Sequence, residues 1–258
     1  MGKRLIRATS MAVVLALIAA MSAFAKPEVV RVGNLFLRDN GGISPTRLPK
    51  HEQAPISANL KAKIGTTDGT HPPAVRSVNL DFDKTIQVNA RGLPVCTERQ
   101  LVARSTAAAK NTCADAIVGS GEGEVEVAFP EQQPFAATGP IVLFNGGVHD
   151  GTTLILIHTY VAVPAPTAVI ATAKLTKINR GRYGTNAVAQ IPAIAGGFGS
   201  VTKFRLTINR TFTYKGKKQS YLTASCPTGR YYTEGEVGFD DGTTLQITHV
   251  LPCSPRSN

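Results

Sequence analysis

The chain has no tryptophan, no C-x-x-C pair, no Arg-Arg pair near its start and no apolar run of membrane-spanning length. Without C-x-x-C, neither a redox dithiol nor a zinc knot is supported. The apolar run Met11 to Met21 is about half the ~20 residues that a spanning helix needs, so it is expected to be cleaved off rather than kept as an anchor. The missing arginine pair argues against twin-arginine export, and the lack of a cysteine near Ala25 excludes lipoprotein attachment. Acids are also scarce: 17 Asp and Glu stand against 28 Lys and Arg, a formal charge of +11.

The first residues read as a bacterial secretory signal peptide. Lys3, Arg4 and Arg7 form a basic start, and Ala23-Phe24-Ala25 has the small-x-small pattern that signal peptidases cut after. Cleavage after Ala25 leaves 233 residues and a formal charge of +8, because the segment removed holds three bases and no acid. That length suits a single domain over 26–258, with a sub-boundary near 119 as the alternative. A basic exported protein is drawn to anionic partners such as wall polymers, phospholipid headgroups or acidic glycans. Nucleic acid is not an expected partner after export, and the mature chain offers no transmembrane helix. The sequence is silent on oligomeric state.

Four cysteines remain, an even count that reads as two disulfides in an exported chain. Three pairings are open. Cys96–Cys113 and Cys226–Cys253 are favoured because each closes a local segment, and each would stabilise by roughly 3 kcal/mol through loop closure.

Alternation dominates after residue 26. Ile56, Ala58, Leu60, Ala62 and Ile64 share one strand face, as do Val78, Leu80 and Phe82, and then Ile86, Val88 and Ala90. Val125, Val127 and Phe129 alternate with Glu124, Glu126 and Ala128, and Phe204, Leu206 and Ile208 with Lys203, Arg205 and Thr207. Leu154 to Val163 is apolar on both faces and predicts a strand covered on both sides, ended by Pro164 and Pro166. Between 97 and 118 the composition turns to Ala, Gln and Arg. Thr97 with Gln100 fits a capping box, Thr106 fits a second cap and Gly119 a C′ position, so a short helical insert is expected there. The segments 39–55 and 65–73 read as irregular loops. The expected fold is all-β: an antiparallel sandwich, with a barrel as the alternative, carrying one small disulfide-bound insert near 97–118. Gly123-Glu-Val125 followed by Asp150-Gly-Thr-Thr-Leu154 echoes Gly235-Glu-Val237 followed by Asp241-Gly-Thr-Thr-Leu245. The echo marks either two related hairpins or recurring turn chemistry.

Little of the chain carries recognisable chemistry. His149 beside Asp150, and Asp240 with Asp241, sit at turns already explained by Asp-Gly, so no metal or other cofactor is expected. His158 falls within the doubly covered strand and reads as a neutral core histidine. Glu124 and Glu126 project from one face about 7 Å apart. That separation would suit a glycosidase pair, but a polar outer face predicts the same residues. Gly119-Ser120-Gly121 and Gly199-Ser200 lack the G-x-S-x-G frame, and no His or Asp can be tied to either serine. No catalytic residue is assigned. The candidate surface-binding residues are Lys215, Lys217 and Lys218 with Tyr214 and Tyr221, since exposed aromatic faces beside polar groups suit sugars. The other reading of the lysines is a solvated turn.

Several stretches form a recognisable set: Gly92-Leu-Pro-Val-Cys96, Val163-Pro-Ala-Pro-Thr167, Arg180-Gly-Arg-Tyr-Gly184, Ala195-Gly-Gly-Phe-Gly-Ser-Val-Thr202, Tyr214-Lys-Gly-Lys-Lys218, Ser225-Cys-Pro-Thr-Gly229 and Phe239-Asp-Asp-Gly-Thr-Thr-Leu245. Together they resemble an uncharacterised family of exported, disulfide-containing β-proteins of high-GC actinobacteria, across most of the mature chain. The resemblance implies the compartment and paired cysteines and transfers no functional residue. The leading functional expectation is a secreted, non-enzymatic binder of an anionic or glycan surface of the cell envelope. The alternatives are a β-cup carrier of a lipid or other apolar ligand, which a pocket would support, and a hydrolase, which a convergent acid and histidine in a cleft would revive.

Overall fold

A computed structural model describes residues 28–162 and 165–256, so the expected signal segment and Pro164 lie outside the described residues. Twelve strands form one antiparallel sheet: β1 (Glu28–Val32), β2 (Leu35–Ser44), β3 (Ser57–Thr66), β4 (Val75–Asp83), β5 (Ile117–Val127), β6 (Phe135–His149), β7 (Thr152–Val161), β8 (Thr167–Arg180), β9 (Tyr183–Gln190), β10 (Gly199–Ile208), β11 (Arg230–Phe239) and β12 (Thr244–Pro252). Their order is β1-β2-β3-β10-β5-β6-β7-β8-β9-β4-β11-β12, so strands from before and after residue 119 interleave. The sheet curls until β12 meets β1 and β2, which gives a nearly closed barrel in place of two stacked sheets.

Alternation sets what each face carries. Inward-facing residues from most strands make one apolar interior: Ile43, Leu143, Ile155 and Tyr231 pack towards one end, and Leu37, Ile64, Val237 and Leu245 towards the seam. Two glycines let the sheet coil this tightly. A Cβ at Gly121 would lie 1.9 Å from the Arg205 carbonyl oxygen, and one at Gly235 would lie 1.9 Å from that of Asn79.

The seam between β1 and β12 has no backbone ladder among the described residues. Side chains close it instead. His249 of β12, 8% exposed, bonds through Nε2 to the Asp39 carboxylate of β2, itself 4% exposed. The His249 Nδ1 faces Glu28 Oε2 of β1 at 3.6 Å. The hydrogen bond to Asp39 raises the His249 pKa against the opposing effect of burial.

The two ends of the barrel differ. At one end the long connections pair with each other: Ala54–Pro55, Leu222–Ala224 and Ile86–Val88 make a small sheet, and Arg47–Pro49 runs parallel to Ser254–Arg256. Cys226–Cys253 sits in this packed end, with both sulfurs in the interior cluster. At the other end, among the described residues, no connection pairs with another in this way.

The insert over 97–118 is present and tied by Cys96–Cys113. It consists of α1 (Glu98–Leu101), α2 (Thr106–Thr112) and a 3-10 turn at Ala114–Ala116. Gln100 Oε1 accepts from the Thr97 amide at 2.9 Å. The second cap is Ser105 rather than Thr106, its oxygen accepting from the Ala108 amide, and Gly119 lies inside β5 rather than at a helix end. Leu101 and Ala109 cover Val142, Phe144 and Leu156 on the outside of the barrel. That explains the doubly apolar strand: Ile155 points into the interior, while Leu156 points out under the insert. His158 is 0% exposed there, its Nε2 bonded to the Arg104 carbonyl at 3.0 Å. Burial lowers its pKa, as a neutral core histidine requires.

Two loop expectations fare differently. Residues 67–74 are a loop, but Asp39–Ser44 belong to β2, paired residue by residue with β3 up to Ser44↔Ser57. Gly41 and Gly42 read as turn residues, and the ladder to β3 overrides them. The echo is turn chemistry and not a duplicated hairpin. The first Gly-Glu-Val lies in β5, with the whole of β6 between it and its Asp-Gly turn before β7. The second lies in β11, directly before its own turn. The turns also differ: Asp150 and Gly151 both take positive φ, whereas Gly242 does so without Asp241.

Candidate functional site

The outer face of β2, β3, β10 and β5 carries the densest ordered charge. Arg38 stands opposite Lys63, which stands opposite Lys203, and Lys61 stands opposite Arg205 in the next row. All five side chains are exposed. Rows are about 7 Å apart along the strands and strands about 4.8 Å apart, so this is a grid of positive charge. Among the described residues, acids border it along β5. Glu122 Oε2 meets Arg205 at 2.7 Å, and Glu124 Oε2 meets Lys203 at 2.9 Å. The Lys203 ammonium, with smaller help from Thr202, holds the Glu124 carboxyl below its ordinary pKa. Among the described residues no acid lies within ion-pair reach of Arg38, Lys61 or Lys63. Like charges directly opposite in a sheet are destabilising, with cross-strand pair terms of about 0.2–1 kcal/mol. Lys63 Nζ also lies 5.9 Å from the centre of the Phe36 ring on the same face.

The third glutamate of β5 belongs to a different arrangement. Glu126 Oε1 lies 2.8 Å from His71 Nδ1, and His71 Nε2 lies 3.0 Å from Ser200 Oγ. These are the spacings of a Ser-His-acid triad. Two features set it apart from a working one. Ser200 is 1% exposed, so its oxygen has no path to a substrate carbonyl. Its single hydroxyl proton also has a closer acceptor, the Pro72 carbonyl at 2.6 Å, so that proton is directed away from His71 Nε2. The cluster is a clamp that fastens loop 67–74 across β5 and β10. The loop is stiffened from within as well: Asp68 accepts from the Thr70 hydroxyl at 2.7 Å and from Asn34 Nδ2 at 2.8 Å. Those bonds, the Thr70 hydroxyl first, hold the Asp68 carboxyl far below its ordinary pKa.

Of the residues singled out from sequence, Tyr214, Lys215, Lys217 and Lys218 share one hairpin, with Lys215 Nζ 5.6 Å from the centre of the Tyr214 ring, and Tyr221 does not join them. Lys215, Lys217 and Lys218 lie exposed on a separate hairpin, Thr211–Tyr214 with Lys217–Ser220. Lys215 and Gly216 both take positive φ, as a two-residue hairpin turn demands, so turn geometry accounts for this cluster. Tyr214 is half-buried: a Cβ at Gly92 would come within 2.0 Å of its ring. Tyr221 is withdrawn as a surface residue. It is 0% exposed, one of the largest side chains of the interior cluster, and burial pushes its phenol pKa up. Asp240 and Asp241 cap backbone amides of Ala74 and Thr243, as turn acids do.

No family model, curated protein or solved structure matches this chain. The site therefore rests on its own geometry.

Sequence reading missed both arrangements for the same reason. Lys61 and Lys63 were legible as the outer face of a strand, but their neighbours on β2 and β10 follow only from strand order. His71 is 55 residues from Glu126 and 129 from Ser200, with no local signal linking them. Glu124 and Glu126 were legible as outer-face residues, and each is engaged by its own partner on that face.

Proposed function

We propose that this is a non-enzymatic binding protein that works outside the cytoplasm and holds an anionic polymer, a wall polymer or acidic glycan, on the outer face of β2, β3 and β10. The observation that carries this reading is the set of cross-strand cation rows, with Arg38, Lys61 and Lys63 unpaired among the described residues. A polyanion would relieve their mutual repulsion, and a flat pleated face offers repeating contacts to a repeating chain. Two disulfides are compatible with an oxidising compartment. No helix among the described residues is long and apolar enough to cross a membrane. The cationic residues of β2, β3 and β10 face outward and most of the apolar ones inward, the reverse of a lipid-facing barrel wall.

The test is retention of the oxidised protein on isolated cell walls and on an immobilised polyanion across a salt series. Retention should be strong at 0.01 M salt, where the Debye length is about 30 Å, and fade near 0.15 M, where it is about 8 Å. Lys61→Glu with Lys63→Glu should abolish it, while neutralising Lys215, Lys217 and Lys218 should leave most of it. No retention at low salt, or loss only with the hairpin variant, would overturn the assignment.

A further inference from the structure

At the uncovered end of the barrel the inward faces of β5, β6 and β8 do not meet. They leave a cavity of about 250 Å³, lined chiefly by Val125, Val127, Ala137, Val169 and Ile194. Val125, Val127 and Ile194 are buried and belong to one hydrophobic cluster, so the floor of the cavity is part of the core. Among the described residues Thr167 is the one lining residue with a polar side chain, and none is charged. Phe129 stands at the edge with its ring 5.5 Å from Phe198 and 6.3 Å from Phe135. Phe198 remains 42% exposed, a large apolar surface left at the entrance.

An apolar cavity gives water no hydrogen-bond partners. One of about 150 Å³ lined by Leu, Ile and Phe stays dry and takes up benzene. This one is larger, equally apolar, and open on one side. It suits a molecule whose apolar part enters while a polar end stays in solvent. Mouths of β-barrels are recurrent places for such sites.

We propose that the barrel mouth binds the alkyl chain of an amphiphile whose polar head stays in solvent. At roughly 30 Å³ per methylene, close to the share of one water molecule, the cavity takes about eight carbons. This site is independent of the cation rows, which lie on the opposite face of the same sheet.

The experiment titrates n-alkyl glucosides from six to twelve carbons into the oxidised protein by calorimetry, below their micelle concentrations. Affinity should rise about four-fold per added methylene up to about eight carbons and then level off, with a negative heat-capacity change. Ala137→Phe should weaken the octyl compound at least about ten-fold by filling the cavity, while Lys61→Glu with Lys63→Glu should bind it as the wild type does. If Ala137→Phe fails to fold by circular dichroism, Thr167→Trp at the entrance carries the same expectation. Affinity that is flat along the series, or that still climbs at twelve carbons, would overturn the proposal. So would a correctly folded filling variant that binds like the wild type.

Discussion

Replacing His249 by leucine should break the seam of the barrel. In the wild type the imidazole is bonded to Asp39 and faces Glu28, all three residues project inward, and β12, which carries His249, shares no ladder with the β1–β2 pair that carries the two acids. The variant leaves the Asp39 carboxylate 4% exposed and without its partner. Removing one member of a buried pair costs about 3–5 kcal/mol. At about 2–4 °C per kcal/mol for a domain of this size, the melting temperature should fall by roughly 6–20 °C. Adding Asp39→Leu should restore much of the loss, because a buried pair replaced by apolar residues is often neutral or stabilising. The pH dependence provides a second readout. The folded pKa of His249 is raised, so its contribution is complete below the unfolded value of about 6.5 and is lost as pH rises through the folded value, at up to about 1.4 kcal/mol per pH unit. His158 has a lowered folded pKa, so its contribution is present above about 6.5 and is lost as pH falls towards the folded value. Urea midpoints between pH 5 and 9 should therefore peak near 6.5, and His249→Leu should flatten only the alkaline side. Stability that rises in the wild type from pH 6.5 to 8, or an alkaline decline unchanged in the variant, would refute the reasoning.

Ser200→Ala should destabilise the fold by about 1–3 kcal/mol by leaving the Pro72 carbonyl and His71 without their shared partner. A fluorophosphonate probe should leave Ser200 unlabelled in the native protein, and labelling there would turn the clamp into a nucleophile. Tyr221 and Tyr231 have buried hydroxyls with no hydrogen-bond partner among the described residues. Tyr221→Phe and Tyr231→Phe should each be neutral or stabilising by up to about 1 kcal/mol in thermal unfolding. A loss above about 1 kcal/mol would show that the hydroxyl is satisfied after all.

Much of the architecture is written in residue alternation, because a half-buried strand must place apolar side chains at every second position. The inward set Ala58, Ala62 and Ile64, the doubly covered β7 and the disulfide-tied insert all followed from local pattern. Closure did not. Alternation states which face is apolar, and that face packs equally well against a second sheet or against the inside of its own curl. What decides for the barrel here includes Gly121 and Gly235, whose neighbouring backbones come too close for any side chain, and the inward His249, Asp39 and Glu28 at the seam. In isolation those five residues read as ordinary turn, core or surface positions. Candidate sites were harder still. Lys215, Lys217 and Lys218 stand out in sequence because they are adjacent, yet adjacency there comes from a tight turn. Arg38, Lys63 and Lys203 are far apart in the chain and become neighbours only through register.

Register also explains how β5 and β10 can carry charge outside and the floor of a cavity inside. On β10, Ser200 and Lys203 both face outward and Val201 and Phe204 both face inward, although each pair is three residues apart. A strict period of two would put one member of each pair on the wrong face. Thr202 resolves the conflict. It is the extra residue of a bulge between Val201↔Val125 and Lys203↔Glu124, and its hydroxyl donates to Glu124 Oε1 at 2.9 Å. The bulge reverses the parity of the strand between its two halves. On one side Ser200 is clamped under loop 67–74, and Val201 packs with the cluster that floors the mouth. On the other side Lys203 and Arg205 complete the cation rows, and Phe204 packs with the seam cluster. One added residue in one strand thus sets the two proposed surfaces in their separate places, and each can be altered without touching the other.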